Sequence, residues 1–252
     1  MLLVSLGPME SGAIGAYVAG FEARCTAMRR PDQQEMHGAG IHGLISSNDA
    51  SRTRLLVTDD RAHDILEAVL PDARAGMIRV FQAAERCAAL MRRHPSWTPN
   101  AATAMVCRDL RIVPELPLPP ELVLRSVRRL PSDPPDGVPL HDAVAVAVLA
   151  SSAINDPAHA LSEYLRSLPP AIRLLAAVDG SGVIRATSAA GTFGTAATVM
   201  FVNTDPDWRR RGIGQAMTAA ALRTARAGGA VRACVDASDA GARIYSGSGS
   251  RS

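Results

Sequence analysis

Three consecutive arginines, Arg209, Arg210 and Arg211, run directly into Gly212-Ile213-Gly214-Gln215. Guanidinium groups present fork-shaped donors that match phosphate oxygens. Glycine has no Cβ, so its backbone can come close to a ligand. The run before them, Val199-Met200-Phe201-Val202, is apolar and β-prone. After them Ile213, Ala216, Met217, Ala220 and Ala221 recur at helical spacing. The order is therefore strand, short loop, helix. A helix start leaves its first N–H groups unpaired and carries partial positive charge, so this junction suits an anion and in particular a diphosphate. A dinucleotide site would need a third glycine and an acid about 20 residues further on, and the sequence lacks a clear instance of either. A Walker A loop needs a lysine, and the chain contains none.

Other chemistry-bearing residues are weaker candidates. Asp205 and Asp207 flank the arginine motif, and Asp236 and Asp239 fall near the end of a later strand. Each is a more ordinary N-cap, turn acid or arginine partner than a general base. His37 and His42 share a Gly-rich stretch, but no further ligands can be identified with them. The expectation is a surface loop and no metal. His141 and His159 read as helix-start surface residues. Trp97 and Trp208 read as packing residues, with Trp208 also placed to flank a ligand groove.

The elements that must carry the motif can be traced through the chain. Residues 10–30 suit a helix with Ile14, Tyr17, Val18, Phe21 and Cys25 on one face, ended by Pro31. Residues 31–53 are polar and read as a long loop. Strands are predicted at 54–58, 77–81 and 104–108, alternating with helices at 62–70 and 83–94, an α/β layer. The Pro-rich run 113–121 is a stiff connection. Beyond it come a strand at 122–127, turns at 131–139, helices at 141–150 and 157–167, and a strand at 173–179. An Asp-Gly-Ser-Gly turn joins that strand to a partner at 182–188. The strand leading into the motif covers 196–203, and a last strand covers 230–236. The predicted organisation is an N-terminal α/β domain over 1–112, a linker over 113–121, a second domain over 122–245 and a flexible tail over 246–252.

Composition narrows the function classes. The 252 residues are 47% hydrophobic and 20% charged, a globular balance. The net charge of +3 is too mild for a nucleic-acid polycation. No run approaches the ~18 apolar residues that span a bilayer, and the apolar start lacks a basic leader. Cys25, Cys87, Cys107 and Cys234 form no CxxC pair and read as buried thiols in a reducing compartment. A cytoplasmic protein, with neither nucleic acid nor membrane as partner, is expected.

Residues 122–249 resemble the GCN5-related N-acetyltransferase (GNAT) superfamily. The family's acyl-CoA signature, Gln/Arg-x-x-Gly-x-Gly/Ala, is matched by Arg209, Gly212 and Gly214. Pro206-Asp207-Trp208 stands where the family has Pro, an acid and an aromatic. Ser238, Gly241, Ile244, Tyr245 and Gly249 follow the family's pattern of a small polar residue, a short helix and a tyrosine. The first domain, with its strand–helix alternation, is compatible with a degenerate GNAT-like half.

The resemblance implies an α/β (α+β) fold, with a mixed, mostly antiparallel sheet flanked by helices. It implies acyl-CoA, by default acetyl-CoA, as co-substrate. Backbone of Val202, Asn203 and Thr204 would pair with the pantetheine arm. Arg209, Arg210, Arg211, Gly212, Ile213, Gly214 and Gln215 would hold the pyrophosphate, and Ser238 would contact CoA where the family more often has Asn. A small-molecule or amino-acid amine would attack the thioester directly, with a protein amine as a further acceptor class. Tyr245 would protonate the departing thiolate, since a phenol is neutral at pH 7 and donates one proton. The competing reading is a non-catalytic GNAT-fold module that binds acyl-CoA or a regulatory partner. The family's final β-hairpin is not matched after Tyr245. The sheet edge left by its absence would need cover from the first domain or from a second copy in a homodimer.

Overall fold

The computed structural model describes residues 2–6, 11–46, 53–71, 76–94, 98–143, 158–238 and 241–242. Two compact units divide the chain. One comprises Met1–Val106 with Cys234–Arg243, and the other is built from Cys107–Ala233. The division crosses the chain twice, at Val106/Cys107 and again at Ala233/Cys234. No helix among the described residues is long and apolar enough to cross a membrane.

The first unit contains β1 (Leu2–Leu6), α1 (Ser11–Met28), β2 (Gln33–Gly38), β3 (Ile41–Ser46), β4 (Arg54–Val57), α2 (His63–Val69), β5 (Met77–Phe81), α3 (Glu85–Arg93) and β6 (Thr98–Cys107). Their sheet order is β2-β3-β4-β5-β1-β6. The β2–β3 and β3–β4 pairs are antiparallel, and β4–β5, β5–β1 and β1–β6 are parallel. Strand alternation divides the apolar residues between two faces. Leu55, Val57, Ile78 and Val80 pack with Leu66 of α2 and Met91 of α3. Leu56 and Phe81 pack with Tyr17, Phe21 and Cys25 of α1 and with Cys234. Gly43 permits the close β3–β4 pairing: its φ is +136°, and a Cβ there would lie 2.0 Å from the Arg54 carbonyl oxygen.

Two elements differ from the sequence expectation. The supposed loop at 31–53 contains the β2–β3 hairpin. Its outer strand, Gln-Gln-Glu-Met-His-Gly, is mostly exposed and carries no hydrophobic alternation, so periodicity misses it. Gly38, Ala39 and Gly40, all at positive φ, make the turn. The start of the chain, Leu2–Leu6, forms a strand inside the sheet.

The second unit contains β7 (Leu122–Arg128), β8 (Val138–Pro139), α4 (Ala158–Ser167), β9 (Ile172–Asp179), β10 (Ile184–Phe193), β11 (Ala196–Thr204) and α5 (Ile213–Ala227). Its sheet runs β11-β10-β9-β7-β8, antiparallel except for the short β7–β8 pair. Mixed α/β layers with largely antiparallel pairing are the expected fold class. The α5 helix buries Ile213, Ala216, Met217, Ala221, Leu222 and Ala225 against β9, β10 and β11. One further bond fixes it: the Ser188 hydroxyl, fully buried, donates to the Met217 carbonyl at 3.0 Å. A last strand, β12 (Arg232–Ala237), carries the chain from this unit back to the first.

Candidate functional site

The strand–loop–helix junction forms as the sequence predicts, with a deformation at its strand. Along β10–β11 the register advances from Thr187↔Asn203 to Ala189↔Met200, so β11 holds one residue more than β10. This is a β-bulge at Phe201–Val202, and Phe201 has φ +52°. A bulky residue in the left-handed region costs about 1–2 kcal/mol unless its surroundings enforce it. Here the Thr187 hydroxyl and the Asn203 amide both donate to the Phe201 carbonyl, each at 3.1 Å. Burial changes at the same point. Ala196–Val199 is buried, whereas Met200–Thr204 is only half-buried. Backbone of Val202, Asn203 and Thr204 therefore lies in the accessible half of the strand.

The loop after β11 is held by a small ionic network. Asp205 caps a single 3-10 turn at Pro206–Trp208, accepting from the Asp207 amide at 3.1 Å. Arg185 of β10 donates to Asp205 at 2.9 Å and to Asp179 at 2.8 Å. Its guanidinium also lies 5.2 Å from the Trp208 ring centroid, with Arg211 4.7 Å from the same ring. Asp179 accepts in addition from the Ser181 hydroxyl and from the amides of Ser181 and Val183. These donors, Ser181 foremost, hold the Asp179 carboxyl well below the usual carboxylate range. One arginine thus joins the β9–β10 hairpin to the turn that presents the arginine motif. Arg185→Leu is expected to lower stability by about 1–2 kcal/mol and to raise amide hydrogen exchange over 205–212. Unchanged exchange there would show that the turn holds its shape without Arg185.

Two left-handed residues, Arg210 at φ +63° and Gly212 at φ +76°, then turn the chain into α5. Gly212 is the N-cap and has no side chain with which to cap. The first helical bond runs from the Ala216 N–H to the Gly212 carbonyl at 3.1 Å. The N–H groups of Ile213, Gly214 and Gln215 therefore precede the helical ladder, at the positive end of a 15-residue helix. A Cβ at Gly212 would meet no atom of the described residues within 4 Å. Successive N–H groups, a helix dipole, nearby guanidiniums and open space make an anion-binding concavity. Arg209 donates to the Thr204 carbonyl at 3.3 Å, and Arg211 rests on Trp208. Arg210 is exposed.

Beside Phe201 lies a small apolar recess. Val127, Leu165, Leu174, Leu175, Ser188 and Phe201 contribute to its lining. The ring of Tyr164 of α4 lies 6.2 Å from the Phe201 ring in an edge-on arrangement.

The second unit thus brings together Val202, Asn203, Thr204, Arg209, Arg210, Arg211, Gly212, Ile213, Gly214 and Gln215. Ser238 belongs to the first unit, after β12, where its hydroxyl accepts from the Gly241 amide at 3.2 Å. Tyr245 lies outside the described residues, as do Asp239 and Trp97. The other acids have structural partners: Asp205 caps the turn, and Asp236 is bound by Tyr17 and Arg79. His141 is exposed beside Asp142. Sequence reasoning missed Arg185 and Asp179. A signal for them existed: Asp179-Gly-Ser-Gly is an Asx-turn pattern, with an arginine two residues into the returning strand.

Residues 149–245 match the family model described as acetyltransferase (GNAT) family. No curated protein matches the chain. Among solved structures, a GCN5-related N-acetyltransferase from Kribbella flavida aligns over 97% of this chain and 93% of its own, with a TM-score of 0.54 and 16% identity. That likeness shows a shared fold across nearly the whole chain. Glucosamine-6-phosphate N-acetyltransferase from Arabidopsis thaliana covers 51% of this chain and 90% of its own, with a TM-score of 0.40 and 14% identity. A predicted acetyltransferase with acetyl-CoA from Clostridium acetobutylicum covers 50% and 87%, with a TM-score of 0.39 and 16% identity.

Proposed function

We propose, from the match of residues 149–245 to the acetyltransferase (GNAT) family model, that this protein transfers an acetyl group from acetyl-CoA to an amine. The observation that carries the reading is the start of α5. Its Gly212 N-cap, left-handed turn and unpaired N–H groups face open space, with Arg210 free to approach. The pyrophosphate would rest on the N–H groups from Arg210 to Gln215. The pantetheine arm would run along the accessible half of β11, pairing with backbone at Val202–Thr204. The bulge supports this placement, because the extra residue leaves regular ladder pairing and can present an N–H near Val202 to the thioester carbonyl.

The reaction needs no covalent enzyme intermediate. The neutral amine attacks the thioester carbon, the carbonyl oxygen takes up negative charge against backbone N–H, and the carbon–sulfur bond then breaks. The thiolate leaves with a proton from Tyr245, and the new amide loses the surplus amine proton to water. The acceptor we infer is the amine of a small molecule or amino acid.

Calorimetric titration with acetyl-CoA is expected to give a dissociation constant in the micromolar range, about −8 kcal/mol. Free-thiol release over a panel of amines should then identify turnover. Tyr245→Phe should slow release without weakening binding. Folded protein that does not bind acetyl-CoA would overturn the reading. Binding without turnover of any amine would leave an acyl-CoA-binding module instead of an enzyme.

A further inference from the structure

The first unit carries a cluster that the acyl-transfer reading does not use. His37 on β2 and His42 on β3 are cross-strand partners, set opposite each other by the Gly38-Ala39-Gly40 turn. Side chains of such partners project from the same face of the hairpin. Glu22 of α1 packs over that face. Its Oε1 lies 3.2 Å from His37 Nδ1 and 2.8 Å from His42 Nδ1. One ligand atom from each of the three side chains falls within 4.8 Å of the others. Donors bonded tetrahedrally to zinc at about 2.0–2.2 Å stand roughly 3.3 Å apart, so this spacing is close to that of a ligand shell.

The surroundings fix how His37 can bind. Its other ring nitrogen, Nε2, lies 3.2 Å from Glu35 Oε2, and Glu35 is held in turn by Arg29 at 3.3 Å. A carboxylate at Nε2 calls for an N–H there, which leaves the Nδ1 lone pair directed at the centre. This is the carboxylate–histidine arrangement that orients metal ligands. With both imidazoles neutral and their Nδ1 lone pairs inward, two nitrogens and a carboxylate oxygen would repel one another. A cation among them removes that repulsion. The rival occupant is a proton, with His37 as imidazolium between Glu22 and Glu35.

We propose that Glu22, His37 and His42 form a three-ligand site for a borderline-soft divalent cation of the zinc class. Glu35 orients His37, and a fourth position opens to solvent beside the half-exposed His37 ring. Two imidazoles and one carboxylate suit zinc, nickel or cobalt, whereas magnesium and calcium take sets of oxygens. The ion would clip α1 to the β2–β3 hairpin.

The test uses the full chain, stripped with chelator and titrated with Zn²⁺ near neutral pH. One ion per chain is expected, with a rise in melting temperature and no comparable effect of Mg²⁺. Glu22→Gln and His42→Gln should each weaken binding at least about tenfold, and Glu35→Gln about tenfold through His37. His37→Ala, at an exposed position, gives a folded control if a variant of a more buried ligand fails to fold. Co²⁺ in place of Zn²⁺ should show nitrogen and oxygen ligation without a thiolate charge-transfer band, which separates this site from binding by the four cysteines. Substoichiometric Zn²⁺, a thiolate band, or equal affinity in the folded variants would overturn the proposal. Zn²⁺ binding is independent of acetyl-CoA binding, so either reading can fail alone.

Discussion

Gly212→Asn is expected to weaken acetyl-CoA binding by about a hundredfold, about 2.7 kcal/mol, while leaving the protein as stable as the parent. Gly212 is left-handed at φ +76°, and asparagine tolerates that region better than other residues with a Cβ. It is also a favoured N-cap, so its side-chain oxygen would accept from an N–H in the first turn of α5. That bond satisfies the protein but occupies a donor that the proposed pyrophosphate site would use. No atom of the described residues lies within 4 Å of a Cβ at this position, so the added atoms would displace the proposed ligand rather than those residues. Gly212→Leu should block binding as well, and also lose about 1–2 kcal/mol of stability because leucine resists the left-handed backbone. The pair separates ligand space from backbone strain. Titration calorimetry and denaturant unfolding of both variants decide it. Affinities within about threefold of the parent in both folded proteins would place the diphosphate elsewhere.

Asp236→Ala should destabilise the first unit by about 3 kcal/mol, far more than an ordinary polar substitution. Asp236 accepts from the Tyr17 hydroxyl and, at 2.5 Å, from Arg79 Nε. Arg79 is 5% exposed, and its Nη1 has no hydrogen-bond partner among the described residues, so its charge depends heavily on this one carboxylate. Truncation leaves an uncompensated buried guanidinium beside Phe21. The Asp236 side chain keeps 22% exposure, which places the loss at the lower end for a broken buried pair. A double variant, Arg79→Leu with Asp236→Leu, should recover most of the loss; recovery of none would show that packing rather than charge governs the site. The pH dependence has a defined sign. Burial, the largest single influence, would raise the Asp236 carboxyl, but the charges of Arg79 and Arg24 and the hydrogen bonds from Tyr17 and Arg79 together outweigh it and lower the pKa. Its stabilisation is complete above the unfolded value of about 4 and is lost as pH falls through the lower folded value. Burial pushes the Tyr17 phenol well up. Its contribution is complete below about pH 10 and is lost as pH rises through the higher folded value. Asp236→Ala should therefore reduce the decline in stability at both limits.

What could be read from the sequence was local. The strand–loop–helix junction was legible because strand, arginines, glycines and helix follow one another within about twenty residues, and each signal belongs to a single element. The α1 face was legible for the same reason: Tyr17, Phe21 and Cys25 repeat at helical spacing and are buried. The β2–β3 hairpin was not, because an exposed outer strand needs no apolar alternation. Its misreading as a loop also hid the histidine cluster. His37 and His42 looked unsupported because the third ligand, Glu22, lies a helix away and only the hairpin fold brings it near. Asp236 looked like one of several acids. Its partners stand 157 and 219 residues earlier, beyond the reach of any spacing rule.

Those separations bear on when the protein can fold during synthesis. The Tyr17–Asp236–Arg79 cluster lies in a unit otherwise made from the first 106 residues, yet its anion is supplied by β12. A nascent chain released only to Val106 holds Arg79 without its counterion and the α1 face without Cys234. Closing contacts over such distances is slow, and the intermediate exposes apolar surface while it waits. The N-terminal half should therefore remain protease-sensitive until residue 236 has been made and has emerged.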